Sequence, residues 1–178
     1  RLSATAVETL IRDPYAIYAR HILDLMPLPP LGIEIDARLR GEILHEALER
    51  FCRETAEAWP EEPAAALDEA VRAAIDAAPL PVTLRRLWRA RMTRLAPVFL
   101  RDEVLRRETG RPAAFEAKGE RTQDGFTLSA RADRIDRLHD GELALYDYKT
   151  GHVPTAKEVA VFAKQMPLMA AIAEAVGF

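Results

Sequence analysis

The chain has 178 residues, a formal net charge of −3 and an apolar fraction of 49%. This length allows one sizeable core, and we expect a single soluble domain over residues 1–178. Charges interrupt every apolar stretch well short of the roughly 18 residues that a transmembrane helix needs, which excludes a membrane-spanning protein. The acidic balance excludes a free-standing, tight nucleic-acid binder, so any contact with nucleic acid must be local.

Cys52 is the single cysteine of the chain. Its isolation excludes an internal disulfide and any multi-cysteine zinc or iron–sulfur site built from this chain alone. We expect Cys52 to be a buried, small apolar residue on a helix, and we expect a cytoplasmic setting. The chain begins without methionine and ends directly after a helical pattern, so we expect it to be a piece of a longer protein.

Helical spacing dominates residues 1–108. The pattern Thr5-x-x-Glu8 is a capping box that predicts a first helix, interrupted at Asp13-Pro14. A proline-rich loop follows, and Asp36 is placed to cap a second helix that carries His45. Further helices are predicted over residues 64–78 and about 83–107.

From residue 109 onward the apolar period changes to two. Three strands are predicted over residues 115–121, 126–136 and 142–149, and the Asp-Gly turn signals between them predict an antiparallel meander. A second capping box, Thr155-x-x-Glu158, predicts a final helix through residue 176, in which Pro167 predicts a kink.

The run Asp147-Tyr148-Lys149 closes the third predicted strand. Because side chains alternate along a strand, Asp147 and Lys149 share one face, whereas Tyr146 and Tyr148 share the other. A carboxylate ligand beside a positive group suits Mg²⁺-dependent phosphodiester cleavage, where the metal polarises phosphate and water and the ammonium meets the developing anion.

Asp133 joins that pair in one of two possible hairpin registers. A two-residue loop places Asp133 opposite Tyr148, on the wrong face, whereas a three-residue loop pairs Leu138 with Glu142 and places Asp133 opposite Asp147. Two facing aspartates repel each other without a cation, so the second register would itself argue for a bound divalent metal. The alternative is that Asp133 and its charged neighbours decorate a solvated strand.

The remaining candidates carry weaker signals. A lone helical histidine such as His45 is more often a surface or core residue than a ligand. Gln165 can hydrogen-bond a phosphate or a base edge, although a surface glutamine is the default. Arg85 and Arg89 belong to an arginine-rich stretch that can follow a phosphate backbone or simply coat a solvated helix face. The sequence contains no Gly-rich phosphate loop and no Gly-x-Ser-x-Gly nucleophile elbow.

Six short motifs, taken in order, resemble the RecB-like branch of the PD-(D/E)XK nucleases. They are Leu2-Ser-Ala-Thr5, Asp13-Pro14-Tyr15, Gly41-x-x-x-His45, Ala132-Asp-Arg-Ile-Asp136, Asp147-Tyr-Lys-Thr-Gly151 and Gln165-x-Pro-Leu168. More narrowly, the chain is similar to the C-terminal nuclease domains of the AddB family, subunits of helicase–nucleases that process double-strand breaks. The resemblance covers nearly the whole chain.

The resemblance implies a fold of the α/β (α+β) class. This would be a restriction-endonuclease-like core with a central mixed sheet flanked by helices, in which residues 1–108 form a mainly helical half and residues 109–178 supply the sheet and the final helix. It also implies a Mg²⁺ or Mn²⁺ site, with Asp133, Asp147, His45 and the backbone carbonyl of Tyr148 as ligands. Lys149 would orient the attacking water and stabilise the pentavalent phosphate.

Two departures from the family pattern stand out. Gln165 matches the glutamine of a Gln-x-x-x-Tyr motif, but Met169 occupies the place of the tyrosine. Many relatives carry a cysteine before Pro14 and three more near the C-terminus, which together hold an iron–sulfur cluster. Asp13 stands in the first of these places, so we expect no cluster.

The implied function is a Mg²⁺-dependent DNA exonuclease that hydrolyses phosphodiester bonds during double-strand break repair and recombination. Its implied partners are DNA, the remainder of its own chain and an AddA-like helicase–nuclease subunit, with no membrane. One alternative is a catalytically silent DNA-guiding or scaffold module of the same fold. Another is a metal-dependent phosphohydrolase acting on small nucleotides, which the lack of a phosphate-cradling loop disfavours.

Overall fold

The computed structural model describes residues 1–28, 37–149 and 151–176. They form two compact units: the first comprises Arg1–Glu34, Glu116–Ala132 and Gly151–Phe178, and the second comprises Ile35–Phe115 and Asp133–Thr150. Seven helices and a four-stranded mixed sheet occur among the described residues, which confirms the predicted mixed α/β class. No helix in this described part combines the length and apolar character needed to cross a membrane.

The elements follow one another in a helix-rich half and then a strand-rich half. In chain order they are β1 (Leu2–Ser3), α1 (Ala4–Arg12), α2 (Pro14–His21), α3 (Ala37–Glu54), α4 (Pro63–Ala77), α5 (Val82–Thr109), β2 (Gly110–Gln123), β3 (Phe126–Leu138), β4 (Leu143–Tyr146), α6 (Ala156–Val161) and α7 (Gln165–Val176).

Strand β3 is the centre of the sheet. It neighbours β2 on one side, and on the other it pairs with β1 in parallel, at Leu128, and with β4 in antiparallel fashion. The turn from β2 to β3 has positive φ at Asp124 (52°) and Gly125 (78°), the conformation that a two-residue Asp-Gly hairpin requires. The predicted meander is therefore present. Strand β1 was not predicted, because two residues are too short to show a period.

The helices of the second unit enclose its hydrophobic core. Phe51 of α3 is 1% exposed and packs edge-to-face against both Trp59 and Phe99, with ring centroids 5.9 Å apart in each case. The apolar positions of α3 and α4 recur at helical spacing, so one stripe of each helix is buried. The buried members of this core include Ile43, Ala47, Leu48, Leu67, Ala70, Val71, Ala74, Ile75, Trp88 and Met92.

The caps of the first two helices differ from the predicted ones. Ser3, not Thr5, caps α1, because its hydroxyl accepts a hydrogen bond from the Ala6 amide at 3.0 Å. Thr5 instead lies inside the first turn. Asp13 caps α2 by accepting from the Ala16 amide at 3.2 Å, with a proline at the first helical position. The predicted Asp36 cap lies outside the described residues.

The C-terminal helical segment is two helices, not one kinked helix. The Thr155–Glu158 capping box is present and opens α6, but α6 ends at Val161. The Lys164 ammonium donates hydrogen bonds at 2.7 Å to the carbonyls of Val159 and Ala160, which satisfies the end of α6. Pro167 lies in the first turn of α7, where a missing amide costs nothing, so the predicted kink was wrong.

The second unit also contains a buried ion cluster formed by Arg134, Asp136, Glu103 and Arg107. The Arg134 guanidinium binds both carboxylate oxygens of Asp136, at 2.5 and 2.7 Å, and one oxygen of Glu103 at 2.6 Å. Arg107 donates to the other Glu103 oxygen at 2.8 Å. Arg134, Asp136 and Glu103 are each 0% exposed, so the alternative of a solvated charged strand was wrong for this part of β3.

The two arginines and two acids of the cluster balance in charge. Arg106, whose side chain is 24% exposed, lies 3.4 Å from Glu103 at the edge of the cluster. Burial alone would raise the pKa of Glu103, but hydrogen bonds and charge from Arg134 and Arg107 outweigh that effect and keep the pKa below its usual range. Deleting one partner leaves an uncompensated buried charge, whereas the intact set is compensated.

We predict that Arg134→Met destabilises the protein by about 3–5 kcal/mol, because Asp136 and Glu103 then remain buried without their shared cation. Urea unfolding followed by circular dichroism measures the difference. The matched control is Arg72→Met, since Arg72 forms an exposed ion pair with Glu69, and solvent screens such pairs so that they contribute little to stability. Equal losses in the two variants would contradict the role of the cluster.

Cys52 lies beside this cluster, fully buried as predicted, 3.2 Å from an Arg134 nitrogen. Burial raises the pKa of the thiol to about 11. A thiol whose pKa is raised by folding costs no stability below its unfolded pKa. Above that value the unfolded chain ionises first, so stability falls until the folded pKa is reached.

We therefore predict that wild type loses about 2 kcal/mol more stability than Cys52→Ala between pH 8 and pH 11. The packing lost in Cys52→Ala is a constant offset, so the pH-dependent part of the difference reports the thiol. Urea unfolding of both proteins across this range measures it. A difference that stays constant with pH would show that the thiol is not protected from ionisation.

Candidate metal centre

Four residues, numbers 139–142, separate β3 from β4. Because Leu138 pairs with Glu142, the hairpin loop itself has three residues, His139, Asp140 and Gly141. The Leu138 amide donates a hydrogen bond to the Glu142 carbonyl at 2.8 Å, and the Gly141 amide donates one to the Leu138 carbonyl at 3.0 Å. Gly141 has a φ of 94°, a conformation that glycine adopts without strain. The loop is thus the longer of the two alternatives that the sequence left open.

This loop fixes which side chains share a face. The register pairs Arg134 with Tyr146 and Asp136 with Ala144, and extending it by one residue sets Asp133 opposite Asp147. Both carboxylates are largely buried, with 9% of the Asp133 side chain and 7% of the Asp147 side chain exposed. Two aspartates on one face of a hairpin repel each other unless a positive charge lies between or beside them.

Asp133, Tyr148 and His45 form a closed set of contacts. One Asp133 oxygen accepts the Tyr148 amide hydrogen at 2.7 Å, and the other lies 3.4 Å from Nδ1 of His45. Nε2 of His45 lies 2.6 Å from the Tyr148 carbonyl oxygen. Helix α3 therefore presents its histidine directly to the paired ends of β3 and β4.

His45 is surrounded by acceptors. A carbonyl oxygen only accepts, so Nε2 carries the proton of the short bond to Tyr148. The hydrogen bond and the negative charge of Asp133, with smaller contributions from the Tyr148 carbonyl and Asp147, raise the pKa of His45 above its ordinary value, although partial burial opposes this. The environment thus favours the protonated imidazole, whose Nδ1 proton would have to leave before that nitrogen could hold a metal.

Lys149 lies on the same face as Asp147, as the alternation predicted. Its ammonium is 2.7 Å from an Asp147 carboxylate oxygen, and 39% of the side chain is exposed. Tyr146 and Tyr148 lie on the opposite face, since the Arg134 guanidinium is 5.5 Å from the Tyr146 ring centre and 3.5 Å from the Tyr148 hydroxyl. The strand ends therefore have a polar face, which carries Asp133, Asp147 and Lys149, and a reverse face. On the reverse face Tyr146 and Tyr148 contact Arg134.

The types of donor group on this face suit a divalent cation. Two carboxylates, one backbone carbonyl and one imidazole nitrogen make the mainly oxygen set that Mg²⁺ and Mn²⁺ prefer. Atoms of His45 and Asp133 lie close enough to share one ion. The facing carboxylates give the site a negative charge that a cation would neutralise.

The other candidate residues lie elsewhere in the chain. Gln165 begins α7 in the first unit, where its backbone amide donates to Glu8 at 2.8 Å, and Met169 on the same helix is 0% exposed. In the second unit, Arg85 binds Asp76 at 3.2 Å and Arg89 binds Asp68. These two arginines pair with acids of α4, and a DNA contact by them stays a prediction.

A family comparison identifies the chain. A family model described as the PD-(D/E)XK nuclease superfamily matches residues 1–178. The chain belongs to the PD-(D/E)XK nuclease superfamily. Its mixed α/β architecture agrees with the restriction-endonuclease-like fold of this superfamily, whose members are nucleases that use divalent metal ions.

Proteins of the genus Rickettsia are similar to this PD-(D/E)XK chain. An uncharacterized protein of Rickettsia bellii is 30% identical over 162 residues, which cover 89% of the chain and 20% of that protein. An uncharacterized protein of Rickettsia typhi is 28% identical over 166 residues, which cover 89% of the chain and 19% of that protein. The chain thus spans about a fifth of the length of these relatives.

We predict that Mn²⁺ raises the thermal unfolding temperature of wild type and that Asp133→Asn binds the ion at least about tenfold more weakly, because a ligand charge is lost. Isothermal titration calorimetry gives the affinities. The matched control is Asp140→Asn, which removes the same charge from the exposed hairpin loop and should bind like wild type. Equal binding by both variants would place the ion elsewhere.

Proposed function

We propose that this chain is a Mg²⁺-dependent DNA exonuclease domain of the RecB-like branch, closest in role to the nuclease domain of AddB. The observation that carries the proposal is the three-residue hairpin that sets Asp133 opposite Asp147, with His45 beside Asp133. A strand that merely faced solvent would have no reason to bury two like charges against each other.

Each residue of the face has a distinct task in this proposal. Asp133, Asp147, His45 and the Tyr148 carbonyl would hold the metal, which would polarise the phosphate and activate the attacking water. Lys149, whose ammonium lies 2.7 Å from Asp147, would turn toward the phosphate and there stabilise the charge that develops during hydrolysis. No covalent intermediate is required.

Lys149 is the residue that most distinguishes hydrolysis from simple metal storage. Only four of the 25 basic residues of the chain are lysines, and a compact ammonium on a flexible stem suits a single phosphate oxygen better than a planar guanidinium does. A storage site would gain nothing from a cation that competes with the metal for Asp147.

In this proposal the domain works within a larger protein complex. The relatives are about five times longer than the chain, which supports a nuclease domain that works with the remainder of a longer polypeptide. The resemblance of the motifs to the AddB family motivates the finer proposal of an AddA-like partner subunit in the cytoplasm, acting in double-strand break repair and recombination. The net charge of −3 fits DNA that motors deliver rather than DNA that the domain captures. Binding by the domain alone should be weak and salt-sensitive.

A catalytically silent DNA-guiding or scaffold module is the second candidate. It is favoured by Met169, which fills the place of the family tyrosine and is completely buried, so no hydroxyl is available at that position. The two candidates differ in whether Lys149 and Asp147 matter for cleavage, which one assay decides.

We predict that wild type cleaves single-stranded DNA with Mg²⁺ and not with EDTA, and that Lys149→Ala lowers kcat by about 10²–10³-fold because a charge stabilising the developing anion is lost. Asp147→Asn should lower it at least as much. Cleavage of end-labelled DNA measures the rates, with Lys157→Ala as the control, since it removes the same charge from exposed α6.

Full activity in Lys149→Ala and Asp147→Asn would refute the proposed site. Metal binding by a wild-type protein that shows no cleavage, even in the full-length complex, would favour the scaffold module. Internal cleavage of circular single-stranded DNA would replace the exonuclease by an endonuclease and leave the site assignment intact.

A further inference from the structure

Tyr148 links the two faces of the candidate site. Its amide donates to Asp133 and its carbonyl accepts from His45, so both ends of its backbone belong to the polar face. Its side chain points the other way, where the ring packs edge-to-face against Phe99 with centroids 6.3 Å apart. Any shift of this ring therefore moves two contacts of the polar face.

Arg134 holds the neighbouring strand in the same manner. It follows Asp133 directly in β3, so the two side chains leave the strand on opposite faces. The guanidinium is anchored by Asp136 and Glu103, and one of its nitrogens lies 3.2 Å from the Cys52 sulfur. Asp133 and Arg134 are joined by one peptide bond. Fixing the Arg134 side chain therefore restrains the backbone that sets the direction of the Asp133 side chain.

The two anchors meet each other behind the site. The Tyr148 hydroxyl lies 3.5 Å from an Arg134 nitrogen and 4.0 Å from the Cys52 sulfur. The hydroxyl thus faces a positively charged donor, which suits its lone pairs, while its ring remains in the core. These contacts join the ends of β3 and β4 on the reverse face. On the polar face, at the same point along the strands, Asp133 contacts the backbone of Tyr148.

Metal ligands need support of this kind. Carboxylates that repel each other drift apart unless their backbones are held, and groups behind a ligand commonly change metal affinity by about 10- to 100-fold when they are removed. The site gains this support from a cluster on the reverse face of the strands.

On the basis of the proposed function, we infer that Arg134 and the Tyr148 hydroxyl are positioning residues that act through the Asp133–Tyr148–His45 contacts. They set the separation of the donor atoms and so control metal affinity and kcat, without contacting the substrate.

Tyr148→Phe tests this inference, since it removes one oxygen and keeps the ring. We expect Mn²⁺ to bind about tenfold more weakly and kcat to fall by a similar factor, with an unchanged KM for DNA. In the metal-free protein, hydrogen exchange at the amide of position 148, followed by NMR, should speed up about tenfold because its bond to Asp133 loosens.

Tyr146→Phe is the matched control. Tyr146 ends β4 on the same face as Tyr148 and lies beside Arg134. Its backbone pairs with Arg134 in the regular ladder, two residues before the backbone that bonds Asp133 and His45. All three quantities should change less than twofold. Arg134→Lys is the second variant. It keeps the positive charge but loses the bidentate contact with Asp136, so it should reproduce the effects of Tyr148→Phe.

The outcomes separate this inference from the proposed function. If wild type binds Mn²⁺ and cleaves DNA but Tyr148→Phe matches Tyr146→Phe in exchange, affinity and kcat, the inference is overturned and the nuclease stands. If the exchange rate and Mn²⁺ affinity change as expected while wild type does not cleave DNA, the positioning role stands and the nuclease fails.

Discussion

The buried guanidinium of Arg134 is the interaction on which the second unit depends. It lies between carboxylates from its own strand and from α5, so that one cation joins the strand to the longest helix. Its two carboxylate partners are buried as deeply as it is, and Arg107 balances the remaining charge. Removing any one member lowers the free energy of unfolding by more than the intact set adds to it. The compensation of charge within the set explains how so charged a strand lies at the centre of a sheet.

Elements with a strong local signal were predicted well from the sequence. The long helices, the meander and the α6 capping box follow from apolar period, Asp-Gly turns and one Thr-x-x-Glu pattern, all of which act over a few residues. The first cap and the break before α7 were missed because two local solutions compete there. Ser3 and Thr5 are both able to cap α1, and Lys164 ends α6 before Pro167 has any effect.

The residue types of the candidate site could be chosen from the sequence, whereas the hairpin register that places them could not. Asp133, Asp147 and Lys149 were chosen by chemistry, but the sequence allowed two hairpins with opposite faces. The ion cluster behind the site was not predicted, because charged residues are mostly exposed in proteins and the sequence pattern shows no exception here. Arg134 and Asp136, two residues apart, did share one strand face, but their partner Glu103 comes from a distant helix that only the folded chain brings near.

The three-residue loop between β3 and β4 has a consequence for judging related sequences. A chain that keeps both aspartates and the lysine but shortens this loop by one residue would set Asp133 opposite Tyr148, so the two aspartates would no longer share a face. Its motifs would look intact although the proposed site would be dismantled. Counting residues between the paired strands, as well as matching the acids themselves, therefore shows which related sequences could form that site.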